Sequence, residues 1–228
     1  MQPLRGCFVT FEGTDGSGKT TQIKLLYSFL REKGYDVMLT REPGGTNISD
    51  SIRALLLDPQ NREMKKETEV LLYAASRAQH VREKIIPALE RGVIVLCDRF
   101  VDASLAYQGY GLELPLEKIM EINRFATGGL TPDITYFLDL PSEISRERLQ
   151  RRFSLHEGPD RIESKPDEYH QKVKQGFSAI CSENEDRIVK INAARDIDTL
   201  HEAIRVHFLS YLAANTLTPS FLSQSDEQ

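Results

Sequence analysis

The chain has 228 residues, with 29 Lys and Arg against 34 Asp and Glu for a formal net charge of −5, and 40% of it is apolar. That length supports one domain, with or without insertions, around a substantial core. Mild acidity without a dense basic tract argues against a dedicated binder of polymeric nucleic acid and leaves small phosphorylated ligands as the better expectation.

Met1 to Gly6 carries no signal-peptide pattern and no later run approaches membrane-spanning length, so the reading is a cytoplasmic protein with no membrane partner. Cys7, Cys97 and Cys181 are widely spaced and odd in number, which points to buried free thiols rather than disulfides or a metal site. The first apolar segment, Cys7 to Glu12, reads as a strand and leads into Gly13-Thr14-Asp15-Gly16-Ser17-Gly18-Lys19-Thr20. This run satisfies G-x-x-x-x-G-K-[ST]. Its glycines let the turn fold back with backbone N–H groups aimed at phosphate oxygens, Lys19 reaches the outer phosphates, and the Thr20 hydroxyl is placed to ligate Mg²⁺. A nucleoside triphosphate is the implied ligand.

Thr20 to Lys33 has helical spacing, Asp36 to Thr40 reads as a second strand, and the turn-forming run Arg41-Glu42-Pro43-Gly44-Gly45-Thr46 follows it. Lys66 to Arg91 is helical, with a kink or reset expected at Pro87. Within it, Tyr73 and Arg77 stand four apart on one face, an aromatic plane beside a guanidinium that suits a nucleobase. Val93 to Asp98 is a third strand, and a carboxylate at its tip, Asp98, is what a Mg²⁺-organising residue needs. Ile134 to Leu140 and Ile188 to Asn192 complete the strand set. Ile197, Leu200, Ile204, Phe208 and Tyr211 repeat on a helical face expected to pack on the core. The polar tail 216–228 is expected to be mobile. Strands alternating with helices imply an α/β fold with a five-stranded parallel sheet flanked by helices on both faces, its ligands bound beyond the carboxyl ends of the strands.

The phosphate loop together with Arg41 to Thr46, the Tyr73 to Arg77 stretch, Asp98-Arg99 and Ala106-Tyr107-Gln108-Gly109 resembles the bacterial thymidylate kinase family in order and spacing, from about Gly6 to about Phe208. The resemblance implies a P-loop NTPase-type fold and phosphorylation of dTMP to dTDP with ATP and Mg²⁺. It also implies a homodimer. It places Asp15 near the sugar or phosphate of the acceptor, Arg53 and Arg99 on the dTMP phosphate, and Tyr73 on thymine where the family usually has Phe. Arg77, Ser104 and Gln108 would address the base edge, and Tyr107 would crowd a ribonucleotide's extra hydroxyl. Because the loop has Gly16 after Asp15 rather than arginine, the catalytic arginine is expected from a short lid at about 151–164, with Arg152 and Arg161 as equal candidates and His156 as a weak one. The whole reads as a single kinase domain over 1–215.

Three other readings share the phosphate loop. A kinase for another nucleoside or nucleoside monophosphate would differ at Tyr73, Arg77, Ser104 and Gln108. A GTP-binding switch is faintly suggested by Ser164-Lys165-Pro166-Asp167, although that run follows the polar lid rather than a buried strand. A scaffold that merely uses ATP would show polymer-stimulated hydrolysis.

Overall fold

The computed structural model describes residues 6–155 and 158–215. His156 and the 216–228 tail lie outside the described residues. Five strands, β1 (Phe8–Glu12), β2 (Val37–Arg41), β3 (Ile94–Asp98), β4 (Ile134–Asp139) and β5 (Ile188–Asn192), form one sheet in the order β2-β3-β1-β4-β5. Every pairing is parallel. The central strand β1 is buried throughout, whereas the edge strand β5 alternates, as expected for a strand covered on one side.

The helices are α1 (Lys19–Glu32), α2 (Asn47–Leu57), α3 (Lys66–His80), α4 (Ile86–Glu90), α5 (Val101–Ser104), α6 (Leu116–Thr127), α7 (Ser142–Leu155), α8 (Asp167–Glu183) and α9 (Ile197–Ala214). Alternate side chains of β1 divide between two cores. Val9 and Phe11 meet Ile23, Leu26 and Leu30 of α1 and Leu200, Ile204 and Phe208 of α9, while Phe8 on the other side meets Val81, Ile85 and Leu89. A third cluster joins Phe137 to Val173 and Phe177 of α8 and to Tyr107. Helices therefore cover both faces of the sheet, and all three cysteines are free and buried.

Two expectations need correction. The long helical stretch does reset, but the irregularity lies just ahead of Pro87 rather than at it. Val81–Ile85 forms a widened π turn and α4 begins at Ile86. Proline lacks an N–H for the carbonyl four residues back and its ring crowds that carbonyl; a wider preceding turn relieves both problems. Ile197 of the C-terminal apolar set is 56% exposed, because it opens α9 at the mouth of the cleft, whereas Leu200, Ile204 and Phe208 are buried. Tyr211 packs against the core from its rim.

Candidate active site

A cleft of about 950 Å³ lies beyond the carboxyl ends of β1, β2 and β3, running from the phosphate loop to Tyr73 and Gln108. At its phosphate end Gly13 has φ 141°, and a Cβ there would come within 2.7 Å of the Leu138 carbonyl oxygen. Only glycine fits that turn. Gly18 precedes α1 in the left-handed conformation and no side chain caps the helix, which leaves its amino end to an anion. Lys19 folds back over the loop, its Nζ donating to the carbonyls of Gly13 and Thr14 at 3.0 Å each. Burial, followed by the nearby Arg99 charge, pulls its ammonium down to about 8. Thr20 Oγ1 donates to Asp98 Oδ2 at 2.9 Å, so the two expected metal-organising residues, 78 positions apart, stand side by side. Both offer oxygen, the donor type that Mg²⁺ takes.

Arg99, at the tip of β3, joins the loop to the rest of the cleft. Its Nη1 donates to the Gly13 carbonyl at 3.0 Å, and its Nη2 to Asp15 Oδ1 at 2.7 Å and to the Tyr107 hydroxyl at 3.1 Å. Tyr107 in turn donates to Asp15 Oδ2 at 3.2 Å. Burial would raise the Asp15 carboxyl, but Arg99 and Lys19 outweigh it and hold the group well below the usual carboxylate range. Behind this triangle sits Glu12, a residue the sequence reading passed over. Its Oε1 accepts the N–H groups of Phe100 at 2.7 Å and Ala103 at 3.3 Å, anchoring the start of α5, and burial pushes its carboxyl up to about 8. The available signal was a charged residue ending an otherwise apolar central strand.

The other end of the cleft is built by α3 and by the segment from α5 into the π turn Leu105–Gly111. Arg77 is 2% exposed. Its Nε donates to Glu42 Oε2 at 2.6 Å, Nη1 to Ser104 Oγ at 2.9 Å and to Asn123 Oδ1, and Nη2 to the Phe100 carbonyl at 3.0 Å. A guanidinium has five N–H groups, so one of its donors remains for a ligand. Glu42 also faces His80 Nδ1 at 3.0 Å. Tyr73 and Gln108 line the same end, and half-buried Arg53 donates from Nη1 to the Pro43 carbonyl at 2.8 Å.

The lid arginines are not equivalent. Arg151 and Arg152 lie on the C-terminal part of α7, Arg152 in its last turn, so the start of the expected lid is helical. Arg152 pairs with Glu163 and is half exposed. Arg161 is buried, with Nε on the Leu56 carbonyl at 2.7 Å and Nη1 on Glu69 Oε2 at 2.8 Å. Arg148, which was not among the sequence candidates, reaches the Gly16 carbonyl of the phosphate loop at 3.1 Å. Its signal was its place one helical turn before Arg152 on the same face. Lys165, in the run that echoed a guanine-reading motif, donates to Glu69 Oε2 at 3.2 Å, and Pro166 is the N-cap of α8 rather than following a strand.

The cleft thus pairs a phosphate loop with an aromatic and guanidinium pocket, with Arg99 between them. The family model for thymidylate kinase matches residues 11–204, which include every site residue named above. The chain belongs to the thymidylate kinase family. It is similar to a thymidylate kinase of an Exiguobacterium species, 49% identical over 88% of this chain and 93% of the relative. The thymidylate kinase of Geobacillus thermodenitrificans is 46% identical over 92% of each chain. Among solved structures, the thymidylate kinase from Ehrlichia chaffeensis superposes with a TM-score of 0.70 at 35% identity, covering 88% of this chain and 98% of that one. The match runs beyond the phosphate loop, which many families share, and takes in the far end of the cleft.

Proposed function

We propose that this chain transfers the γ-phosphoryl group of ATP to dTMP, giving dTDP and ADP, within a single kinase domain over 1–215. The observation that carries the reading is Arg99, which touches both the phosphate loop at Gly13 and the Asp15–Tyr107 pair that leads to the base pocket. An anion held by Arg99 lies between donor and acceptor halves. In this reading Gly13 to Thr20 cradle the ATP phosphates, with Lys19 on the outer ones. Arg53 and Arg99 hold the dTMP phosphate, Asp15 and Tyr107 bound the sugar, and Tyr73, Arg77, Ser104 and Gln108 meet thymine.

Thr20 and Asp98 would hold Mg²⁺, which supplies charge neutralisation on the phosphates when bound. Two anionic phosphates repel, and the task of the chain's own residues is to hold them in line and cancel that repulsion while water is excluded. Arg148 and Arg152 of α7 supply the lid charge in this scheme, and buried Arg161 holds the far end of the lid in place. No strong base is required.

The homodimer implied by the resemblance finds support in exposed apolar side chains on three helices that pack in series. These are Ile48 and Leu55 of α2, Leu71 of α3, and Met120 and Phe125 of α6. No helix among the described residues is long and apolar enough to cross a membrane. The deciding test is ADP release with ATP, Mg²⁺ and a panel of nucleoside monophosphates. We expect dTMP to give the highest kcat/KM and dUMP to follow; a clear preference for another monophosphate, or turnover without any acceptor, would overturn the assignment.

A further inference from the structure

Glu69 lies one helical turn before Tyr73 and two before Arg77, so the three side chains leave one face of α3. It is 1% exposed. Its carboxylate faces two ways. Oε2 accepts from Arg161 Nη1 at 2.8 Å and from Lys165 Nζ at 3.2 Å, and Oε1 accepts from Gln108 Nε2 at 3.0 Å. A carboxylate between two cations only accepts hydrogen bonds. Either end of a glutamine amide fits the same space, but only the NH₂ end fits against such a group. The Gln108 amide therefore has one orientation, with its carbonyl turned away from Glu69. No described residue donates to that carbonyl oxygen, and Gln108 lines the cleft.

We infer that Glu69 is a specificity-determining residue that acts through Gln108, fixing its amide so that a carbonyl, not an NH₂ group, is offered to the base. The inference rests on the reading of this cleft as a dTMP site. Thymine carries an N–H at ring position 3 between two carbonyls, whereas cytosine has a lone pair there and an amine at position 4. The fixed Gln108 carbonyl accepts from the thymine N–H and faces the cytosine lone pair unfavourably. Arg77 has only donors and so matches the thymine carbonyl and not the cytosine amine. Were the Gln108 amide free to turn over, it would donate to the cytosine ring nitrogen and half of the discrimination would vanish. Uracil has the same ring N–H as thymine, so this device does not separate dUMP from dTMP.

The test is kcat/KM for dTMP, dUMP and dCMP on the wild type, Glu69→Gln, Gln108→Leu and the double variant. Glu69→Gln keeps the size of the side chain and pairs with Gln108 in either orientation. We expect its dTMP-to-dCMP ratio to fall about tenfold or more, chiefly through a lower KM for dCMP. The dTMP-to-dUMP ratio should hold, and Glu69→Gln should add nothing to the ratio in the Gln108→Leu background. An unchanged dTMP-to-dCMP ratio, an equal loss on all three substrates, or additive effects in the double variant would each overturn the inference. Because Glu69→Gln leaves Arg161 short of counter-charge, the series is repeated with Arg161→Gln, which restores the balance and applies the same criteria to a neutral pair. A wild type that turns over another monophosphate and not dTMP would overturn the underlying reading instead, a result distinct from a dTMP kinase whose ratios do not move.

Discussion

The phosphate end and the base end of the cleft open onto the same crevice but are built from different parts of the chain. The phosphate end is backbone: glycines at positive φ, an uncapped helix start, and a lysine resting on two carbonyls. Its loop residues are neighbours in sequence. The base end is side chain on side chain, with Arg77, Glu42, His80 and Asn123 in one buried network and Glu69, Gln108, Arg161 and Lys165 in another. Lys19 at the first end bonds only to loop carbonyls. At the second end a cationic side chain also holds the protein together, so the same substitution should fail for different reasons.

The largest effects test that difference directly. Lys19→Ala removes a charge poised for phosphate whose present partners are carbonyls; we expect kcat/KM to fall by roughly 10²- to 10³-fold, as for loss of one preorganised donor, with little change in Tm. Arg77→Ala takes the guanidinium away from buried Glu42 and leaves it His80 alone as a side-chain partner, and breaking a buried pair this way costs about 3 to 5 kcal/mol. Activity and cooperative unfolding should therefore both suffer. Equal losses of stability in the two variants, measured by thermal and urea denaturation, would erase the distinction.

The lid arginines sharpen it further. Arg152 is half exposed and pairs only at the surface, where an ion pair contributes about 0 to 1 kcal/mol. Arg148→Ala and Arg152→Ala should thus leave Tm nearly unchanged while lowering kcat, and an arginine placed on the transition state in related phosphoryl transfers is worth about 10³ to 10⁵ in rate. Arg161→Ala should lose stability first, because Glu69 keeps Lys165 alone as its cationic partner. If Arg161→Ala stayed fully stable and lost only kcat, Arg161 and not its neighbours would be the lid charge.

What the sequence disclosed follows the same division. The phosphate loop was legible because its chemistry is local: a strand, a fixed glycine spacing and a lysine at the start of a helix. The strands could be read from short apolar runs, and their ends pointed to Asp98 and Arg99. The partners of the base end were not legible, since Arg77 meets Glu42 across 35 positions and Arg161 meets Glu69 across 92. No local pattern distinguishes a buried arginine from an exposed one in the same polar stretch. Arg152 and Arg161 therefore looked alike, and Arg148 was passed over because its distance from Gly16 is set by the packing of α7 on the loop. Glu12 went unread for a related reason, its partners being backbone N–H groups on the far side of a strand crossover.

The smallest effect falls where the two ends meet. Tyr107 donates to Asp15 and receives from Arg99, while its ring packs against Phe177 and lies under the Arg99 guanidinium at 4.9 Å. Tyr107→Phe keeps the ring and removes only the hydroxyl. A hydrogen bond of this kind contributes about 0.5 to 1.5 kcal/mol net, more where a charge is involved. We expect kcat/KM for dTMP to fall by about 2- to 10-fold, with Arg99 and Asp15 still paired through their own 2.7 Å contact. On the proposed role of the Tyr107 ring, the penalty against the 2′-hydroxylated form of the substrate should persist in Tyr107→Phe, which keeps the ring, and shrink in Tyr107→Ala, which removes it. A penalty lost already in Tyr107→Phe would move sugar selection from ring to hydroxyl and make the Asp15–Arg99–Tyr107 triangle, rather than the aromatic wall, the part of the cleft that reads the sugar.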